Sequence, residues 1–190
     1  MGQRRSAEET RDLVFEACGR ILRRDGLSHL TLERVADEAG LSKGGLLYHF
    51  PNKAALIEAL FAYHNEKFED RLAALAEEEG DDAGAWLRAY AKASIEQITE
   101  PGNASLYASL FAAEERYERA HALMRHKYDD WQKRVEESGL DPQWSTLVRL
   151  AIDGMWFAEM HHYAPLDEAR RAHIVDLILQ LTYDSVSNGG

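Results

Sequence analysis

Apolar side chains recur every three or four residues along almost the whole chain, and they nowhere alternate long enough to make a strand. That period puts them on one face of an α-helix. Gly26, Gly40, Pro51, the stretch Gly80–Gly84, Pro101-Gly102 and Pro165 interrupt it. The spacing predicts an all-α chain of about nine helices. Ser6 and Glu9 make a capping box ahead of a first helix, which Gly26 stops. Thr31 caps a second helix over 32–39, and Ser42 caps a third over 43–49. Asn52 caps a long fourth helix to about Glu79. A fifth is expected over 83–99, a sixth over 103–113 and a seventh over 116–138. The eighth runs from Pro142 to about Tyr163, with Pro at its first position. The ninth covers about 167–186. No internal repeat and no glycine-rich phosphate loop is present.

A chain of 190 residues with 45% hydrophobic content suffices for one sizeable core, or for a small module docked on a larger one. No apolar run approaches the roughly 20 residues of a membrane span. The polar start, MGQRRSAEET, carries no apolar secretory segment, so a cytoplasmic, nucleoid-associated location is expected. The single cysteine, Cys18, excludes an internal disulfide and lies in an apolar helical stripe, where it reads as a small core residue. The net charge of −11 is unevenly spread. Residues 1–53 carry nine basic and eight acidic side chains, a net of +1; the rest carries thirteen and twenty-five, a net of −12. An acidic remainder suppresses loose binding to phosphate, so any DNA contact must come from a small oriented surface.

The segment TLERVADEAGLSKGGLLYHFPNK, from Thr31 to Lys53, supplies such a surface. Two short helices joined by a glycine-containing turn make a helix-turn-helix. Val35, Ala36 and Ala39 face inward on the first helix of the pair, Leu41 fills the turn, and Leu46 and Phe50 face inward on the second. Lys43, Gly44, Leu47 and Tyr48 are left pointing outward. Ser42 and Lys43 sit where free N–H groups favour phosphate. Gly44 and Gly45 cost about 1 kcal/mol each inside a helix and would let backbone approach a groove wall. Leu47 could pack on a thymine methyl. Tyr48, His49, Lys53 and Thr31 could reach phosphates. Pattern alone leaves an ordinary helical hairpin open.

The run resembles the DNA-binding module of the TetR/AcrR family of bacterial regulators. The matching residues are the Thr31 cap, Val35-Ala36, Ala39-Gly40-Leu41-Ser42, Gly44, Leu47-Tyr48-His49-Phe50, and Asn52-Lys53 before Ala55-Leu56-Ile57. The resemblance implies a three-helix DNA-binding domain over 1–53 and a helical ligand-binding and dimerisation domain over 54–190. It implies a non-enzymatic, ligand-responsive repressor that binds palindromic operator DNA as a homodimer. It further implies that Thr31, Ser42, Lys43, Gly44, Leu47, Tyr48, His49 and Lys53 line the DNA face. No metal or other cofactor is expected.

The eighth helix is apolar on more than one side, from Trp144 through Leu147, Leu150, Met155 and Phe157 to Met160, and a helix greasy all round is buried on all sides. A second subunit is the natural cover, and the resemblance implies the same for helices 142–163 and 167–186. Gly154 would permit close approach. For a small apolar or aromatic effector, the candidates are Phe61, His64, Trp86, Tyr90, Tyr107, Phe111, His121, Tyr128, Trp131, Met155, Trp156 and Glu159. Of these, His121, Tyr128 and Trp131 belong to a stripe on the seventh helix, Tyr117–His121–Met124–Tyr128–Trp131–Val135. Glu159, three residues after Trp156, would suit a lipophilic cation. Each of these side chains has a plainer reading as ordinary core or solvated surface. The acidic runs Glu77-Glu78-Glu79 and Glu114-Glu115 read as solvated helix ends.

Two other readings stay open at this level. Glu118-x-x-His121 and Glu159-x-x-His162 repeat the Glu-x-x-His pair of di-iron helical bundles. A DNA-binding dimer that takes no ligand is the other.

Overall fold

The computed structural model describes residues 6–114 and 116–187, with side chains as far as Tyr183. Glu115 and Met1–Arg5, read above as polar, lie outside the described residues. Among the described residues there are nine α-helices: α1 (Ala7–Asp25), α2 (Leu32–Ala39), α3 (Lys43–His49), α4 (Lys53–Glu79), α5 (Ala85–Thr99), α6 (Asn103–Glu114), α7 (Glu118–Glu136), α8 (Pro142–His161) and α9 (Glu168–Ser187). One 3-10 turn, Leu27–His29, precedes α2 and has no apolar period to reveal it in sequence.

The helix starts follow cap chemistry. Ser6 Oγ accepts from Glu9 N at 3.0 Å while Glu9 returns a carboxylate to Ser6 N at 2.7 Å. Asn52 Oδ1 accepts from Ala55 N at 2.9 Å, and Asp141 from Trp144 N at 2.9 Å. The fifth helix begins two residues later than its expected start at 83, because Gly84 stands at φ +80°, in the left-handed region. A Cβ at Gly84 would lie 2.9 Å from Leu140 and 3.2 Å from the Thr182 carbonyl oxygen, so only glycine fits. The eighth helix stops at His161 rather than Tyr163, where His162 and Ala164 take φ +55° and +50°.

The chain divides into two compact units. The first holds the residues up to Asn65 together with Ser105–Leu123; the second holds Glu66–Ala104 and the residues from Met124 onward. Val14, Ile21, Leu22, Leu30, Val35, Leu46, Leu56, Ile57 and Leu60 are buried in the first. Cys18 is buried with them, and burial pushes its thiol up to about 12, which leaves it an inert core residue. In the second unit Phe68, Leu72, Leu75, Leu87, Tyr90, Trp131, Val135, Val148, Ile152 and Ile178 form a continuous core, with α5 packed on α8 and α9.

Two expectations do not hold. Glu79 is not a solvated helix end: it is 8% exposed and accepts from Arg88 Nε at 2.6 Å and from Lys92 Nζ. Arg88 is itself 2% exposed, donates to the Ala83 carbonyl at 3.0 Å and lies over the Tyr183 ring at 4.2 Å. Two cations were within reach of one carboxylate, so folding could bury it. Glu114 is also drawn in, its side chain 14% exposed and bonded to His121. Within the single chain, part of the apolar surface of α8 is left uncovered, as expected of a helix whose cover is a second subunit. Leu147 and Leu150 are 55% and 52% exposed, and Phe157, Leu177 and Leu181 are exposed with them.

Burial alone would raise the Glu79 carboxyl, but its bonds from Lys92 and Arg88 outweigh that and hold it below the usual carboxylate range. A folded value below the unfolded one, about 4.3, adds stability above that pH and loses it as pH falls through the folded value. The melting temperature is therefore expected to drop between about pH 5 and pH 3. Glu79→Gln at neutral pH should cost about 3–5 kcal/mol by leaving Arg88 buried without its anion. That corresponds to a loss of roughly 10 °C in a thermal melt for a chain of this size, and the variant's acid-induced drop should be shallower than the parent's.

Candidate functional site

The outward face of α3 is set by what lies under it. Gly40, at φ +65°, ends α2, and Leu41 N bonds to the Ala36 carbonyl at 2.9 Å to close the turn. Leu46, fully buried, and Phe50, 3% exposed, seat α3 on the core. The Phe50 ring meets Phe15 of α1 at 5.6 Å, and the Arg11 guanidinium lies over both rings at 5.9 and 5.7 Å.

With α3 seated, Tyr48 is 86% exposed, edge-on to His49 at 5.3 Å. Gly44 is exposed, and a Cβ there would meet nothing within 4 Å, so no contact inside the described chain requires glycine at this position. Leu47 is half-buried rather than fully outward. Thr31 and Ser42 are exposed caps that accept from Arg34 N at 3.2 Å and from Gly45 N at 3.1 Å. Lys53 is half-buried at the first residue of α4. Lys43 is exposed but not free, since its Nζ lies 2.5 Å from Glu33 Oε1 on α2.

An ion network that sequence reading missed holds α1 to α2. Arg20 and Arg24 reach Glu38 at 2.9 and 3.2 Å, and Arg24 and Arg34 reach Asp25 at 2.9 and 2.6 Å. Hydrogen bonds from Arg20 and Arg24 hold the Glu38 carboxyl below its usual range, and a bond from Arg24 does the same for Asp25. Partners 14 and 18 residues apart on different helices leave no periodic signal.

The effector candidates fall into separate groups. In the second unit Trp86 stacks on Tyr90 at 5.6 Å, Tyr90 meets Trp131 at 5.7 Å, and Tyr128 meets Trp131 at 5.0 Å. Phe68, which the sequence reading left out of the candidate set, joins them at 5.2 Å from Trp131. Met155 packs partly against this core. The buried Trp86 indole N–H has no hydrogen-bond acceptor among the described residues, and Arg134 lies over its ring at 5.8 Å. Trp156 Nε1 donates to Gln97 at 3.1 Å. In the first unit His64 meets Tyr107 edge-on at 5.7 Å; Phe61 is buried, and Phe111 is half-buried. His121 lies off the α7 stripe, its side chain 52% exposed and 2.6 Å from Glu114.

Asp153 is the polar residue the candidate set lacked. Tyr90 Oη donates to it at 2.7 Å, and Arg149 Nη1 reaches its other oxygen at 2.5 Å. Burial pushes the Asp153 carboxyl up despite those two bonds, and burial pushes Tyr90 well up as well. The signal in sequence was a lone carboxylate inside the apolar run Ala151-Ile152-Asp153-Gly154-Met155-Trp156. Glu159 is bonded to Arg171 at 2.8 Å, so it is neither solvated nor a spare anion for a cationic ligand.

Residues of the two Glu-x-x-His pairs have other partners in this structure. His121 is committed to Glu114, Glu159 to Arg171, and Glu118 is exposed. Among the described residues no group of three or more His, Cys, Asp or Glu is arranged to hold a metal ion. No helix among them is long and apolar enough to cross a membrane.

A short helix-turn-helix near the start of the chain and a larger helical unit define a class, the helix-turn-helix transcriptional regulators. Residues 15–60 match the family described as bacterial regulatory proteins, tetR family, and residues 84–183 match the tetracyclin repressor-like C-terminal domain. The chain belongs to the tetR family of DNA-binding transcriptional regulators, which are not enzymes. It is similar to the HTH-type transcriptional regulator TtgR of Pseudomonas putida, with 37% identity over 75 residues; these are 40% of this chain and 35% of TtgR. The match thus spans about a third of that relative's length. In fold it resembles a TetR transcription regulator from Haloarcula marismortui, at TM-score 0.75 and 17% identity over 94% of this chain and 98% of the other. It also resembles the multidrug binding protein EbrR complexed with malachite green, at TM-score 0.63 and 23% identity over 90% of this chain and 97% of the other.

The opposite faces of α3 predict opposite outcomes in a denaturant melt. Leu46→Ala should destabilise the protein by about 2–5 kcal/mol, through lost burial and the cavity left behind. Tyr48→Ala should stay within about 0.5 kcal/mol of the parent, because its ring touches so little of the chain.

Proposed function

We propose that this chain is a ligand-responsive repressor that binds two-fold symmetric operator DNA as a homodimer. The observation that carries the reading is the outer face of α3, where a tyrosine 86% exposed stands beside a glycine whose missing side chain no internal contact requires. Major-groove docking gives both a reason: the second helix of such a pair lies in the groove, and a small residue admits its backbone close to the wall. Residues 1–53 form the DNA-binding module and 54–190 the ligand-binding and dimerisation module. Thr31, Tyr48, His49 and Lys53 serve phosphates. Ser42, Lys43 and Gly44 lie at the groove edge, and the free part of Leu47 meets a base.

Dimerisation proceeds through α8 and α9. Leu147, Leu150, Gly154 and Phe157 follow one stripe on α8, at steps of three and four, and Leu177 and Leu181 follow another on α9. Such a surface suits an isologous two-fold contact, and a Cβ at Gly154 would meet nothing within 4 Å of its own chain. The effector is an apolar, aromatic small molecule; the candidates to recognise it are Trp86, Tyr90, Tyr128, Trp131, Met155 and Trp156 in the second unit and, as a separate group, Phe61, His64, Tyr107 and Phe111 in the first. A cation is not required, since Asp153, Glu69 and Glu159 each lie beside a basic partner: Arg149, Lys127 and Arg171. Exposed His121 and paired Glu159 are peripheral to it. The protein acts in the cytoplasm, on the nucleoid.

Sedimentation at micromolar concentration should give a dimer, and Leu150→Glu a folded monomer; a folded wild-type monomer refutes the interface. A shift assay on the DNA upstream of its own gene should reveal half-sites about one helical turn apart, or a multiple of it. Lys53→Ala should weaken all sequences alike and lower the salt slope by about 1, whereas Leu47→Ala should relax base preference by about 1–3 kcal/mol. Ligands found by thermal shift should release that DNA. Hits that bind and leave operator affinity unchanged would overturn the ligand response and favour a regulator whose DNA binding is constitutive.

A further inference from the structure

Much of the positive charge in the first 53 residues is already matched by a neighbour. Glu38 takes Arg20 and Arg24, Asp25 takes Arg24 and Arg34, and Glu33 takes Lys43. Through Arg20–Glu38, Arg24–Glu38 and Arg34–Asp25 the first two sets tie α1 to α2. The third lies on the proposed DNA face: Glu33, in the first turn of α2, reaches Lys43, the first residue of α3, at 2.5 Å. Both side chains are well exposed, at 69% and 59%, so the pair contributes little to folding. The Lys43 bond holds the Glu33 carboxyl below its usual range, which keeps it charged at neutral pH. A fixed anion between the caps Thr31 and Ser42 is a liability on a surface meant for phosphate, unless weakening that attraction is its role.

We propose that Glu33 is a built-in competitor of DNA phosphate: it clamps the Lys43 ammonium, so Lys43 reaches a phosphate only by exchanging one anion for another. This rests on the assignment of Lys43 to the DNA face. A free lysine that neutralises a phosphate releases a condensed counterion, and affinity then falls with salt at about 0.9 of a log unit per contact. Here the vacated Glu33 carboxylate takes up a cation as Lys43 leaves it. One ion is released from DNA and one is bound by protein, so the contact adds little affinity and little salt dependence. The effect is blind to sequence. It lowers affinity for all DNA alike, and it extends locally what the acidic remainder of the chain does at longer range.

The test is fluorescence anisotropy with a random-sequence duplex of about 30 base pairs, titrated across salt. Glu33→Gln is expected to tighten binding about 3–10-fold at low salt and to steepen the log–log salt slope by about 0.9. Lys43→Gln added to Glu33→Gln should abolish the whole gain in affinity and in slope. Melting curves establish that each variant is folded. Unchanged affinity and slope in Glu33→Gln would overturn the proposal, as would a gain that survives in the double variant, since the effect would then be one of net charge alone. If Lys53→Gln still weakens the wild type in those cases, the DNA-face reading stands and only the competitor role fails. If the wild type binds no duplex even at low salt, both fail.

Discussion

Leu46 and Phe50, four residues apart, anchor α3 to the core beside Phe15. A seven-residue helix has almost no stability of its own in water, and this one carries Gly44 and Gly45, which cost about 2 kcal/mol together. Burying the two apolar side chains contributes roughly 3–6 kcal/mol, enough to offset the glycines. Everything on the outer face follows from that seating. Tyr48 is exposed because the helix cannot turn it inward without lifting Leu46 out. The capped starts at Thr31 and Ser42 fix where the helices begin, and the Arg20–Glu38 and Arg34–Asp25 pairs keep α1 and α2 in register around them.

In the second unit the constraint is electrostatic. Two carboxylates are drawn out of water, Glu79 between Arg88 and Lys92, and Asp153 between Tyr90 and Arg149. A buried charge without a partner is strongly destabilising, so each must keep its neighbours. The two sites differ in outcome. At Glu79 the paired cations win over desolvation, whereas at Asp153 desolvation wins, although Tyr90 and Arg149 are both bonded to it. Asp153 is therefore the more easily perturbed of the two, and it is joined through Tyr90 to the stacked aromatic group Trp86, Tyr90 and Trp131. A change in the packing of those rings would disturb a polar pair as well as an apolar surface.

The amino-acid sequence by itself determined the helices and their ends. A 3.6-residue apolar period and cap residues such as Ser6, Thr31, Ser42 and Asn52 act within a single turn, so no distant contact is needed to read them. It likewise determined the helix-turn-helix, because Leu46 and Phe50 must share one face wherever the helix lies. Only the tertiary structure decided which charges are spent. Glu79, Glu114 and Glu159 look alike in sequence to any solvated glutamate, and each is held by a residue on another helix. Lys43 reads as a free cation until Glu33, ten residues away, is folded against it. The exposed apolar stripe on α8 is of the same kind. Its residues are as greasy as those beneath them, and only the packing of α5 against α8 separates a buried Val148 or Ile152 from an uncovered Leu147 or Leu150. Short-range periodicity writes itself into sequence, while the pairing of side chains on different helices depends on distances that only the folded chain sets.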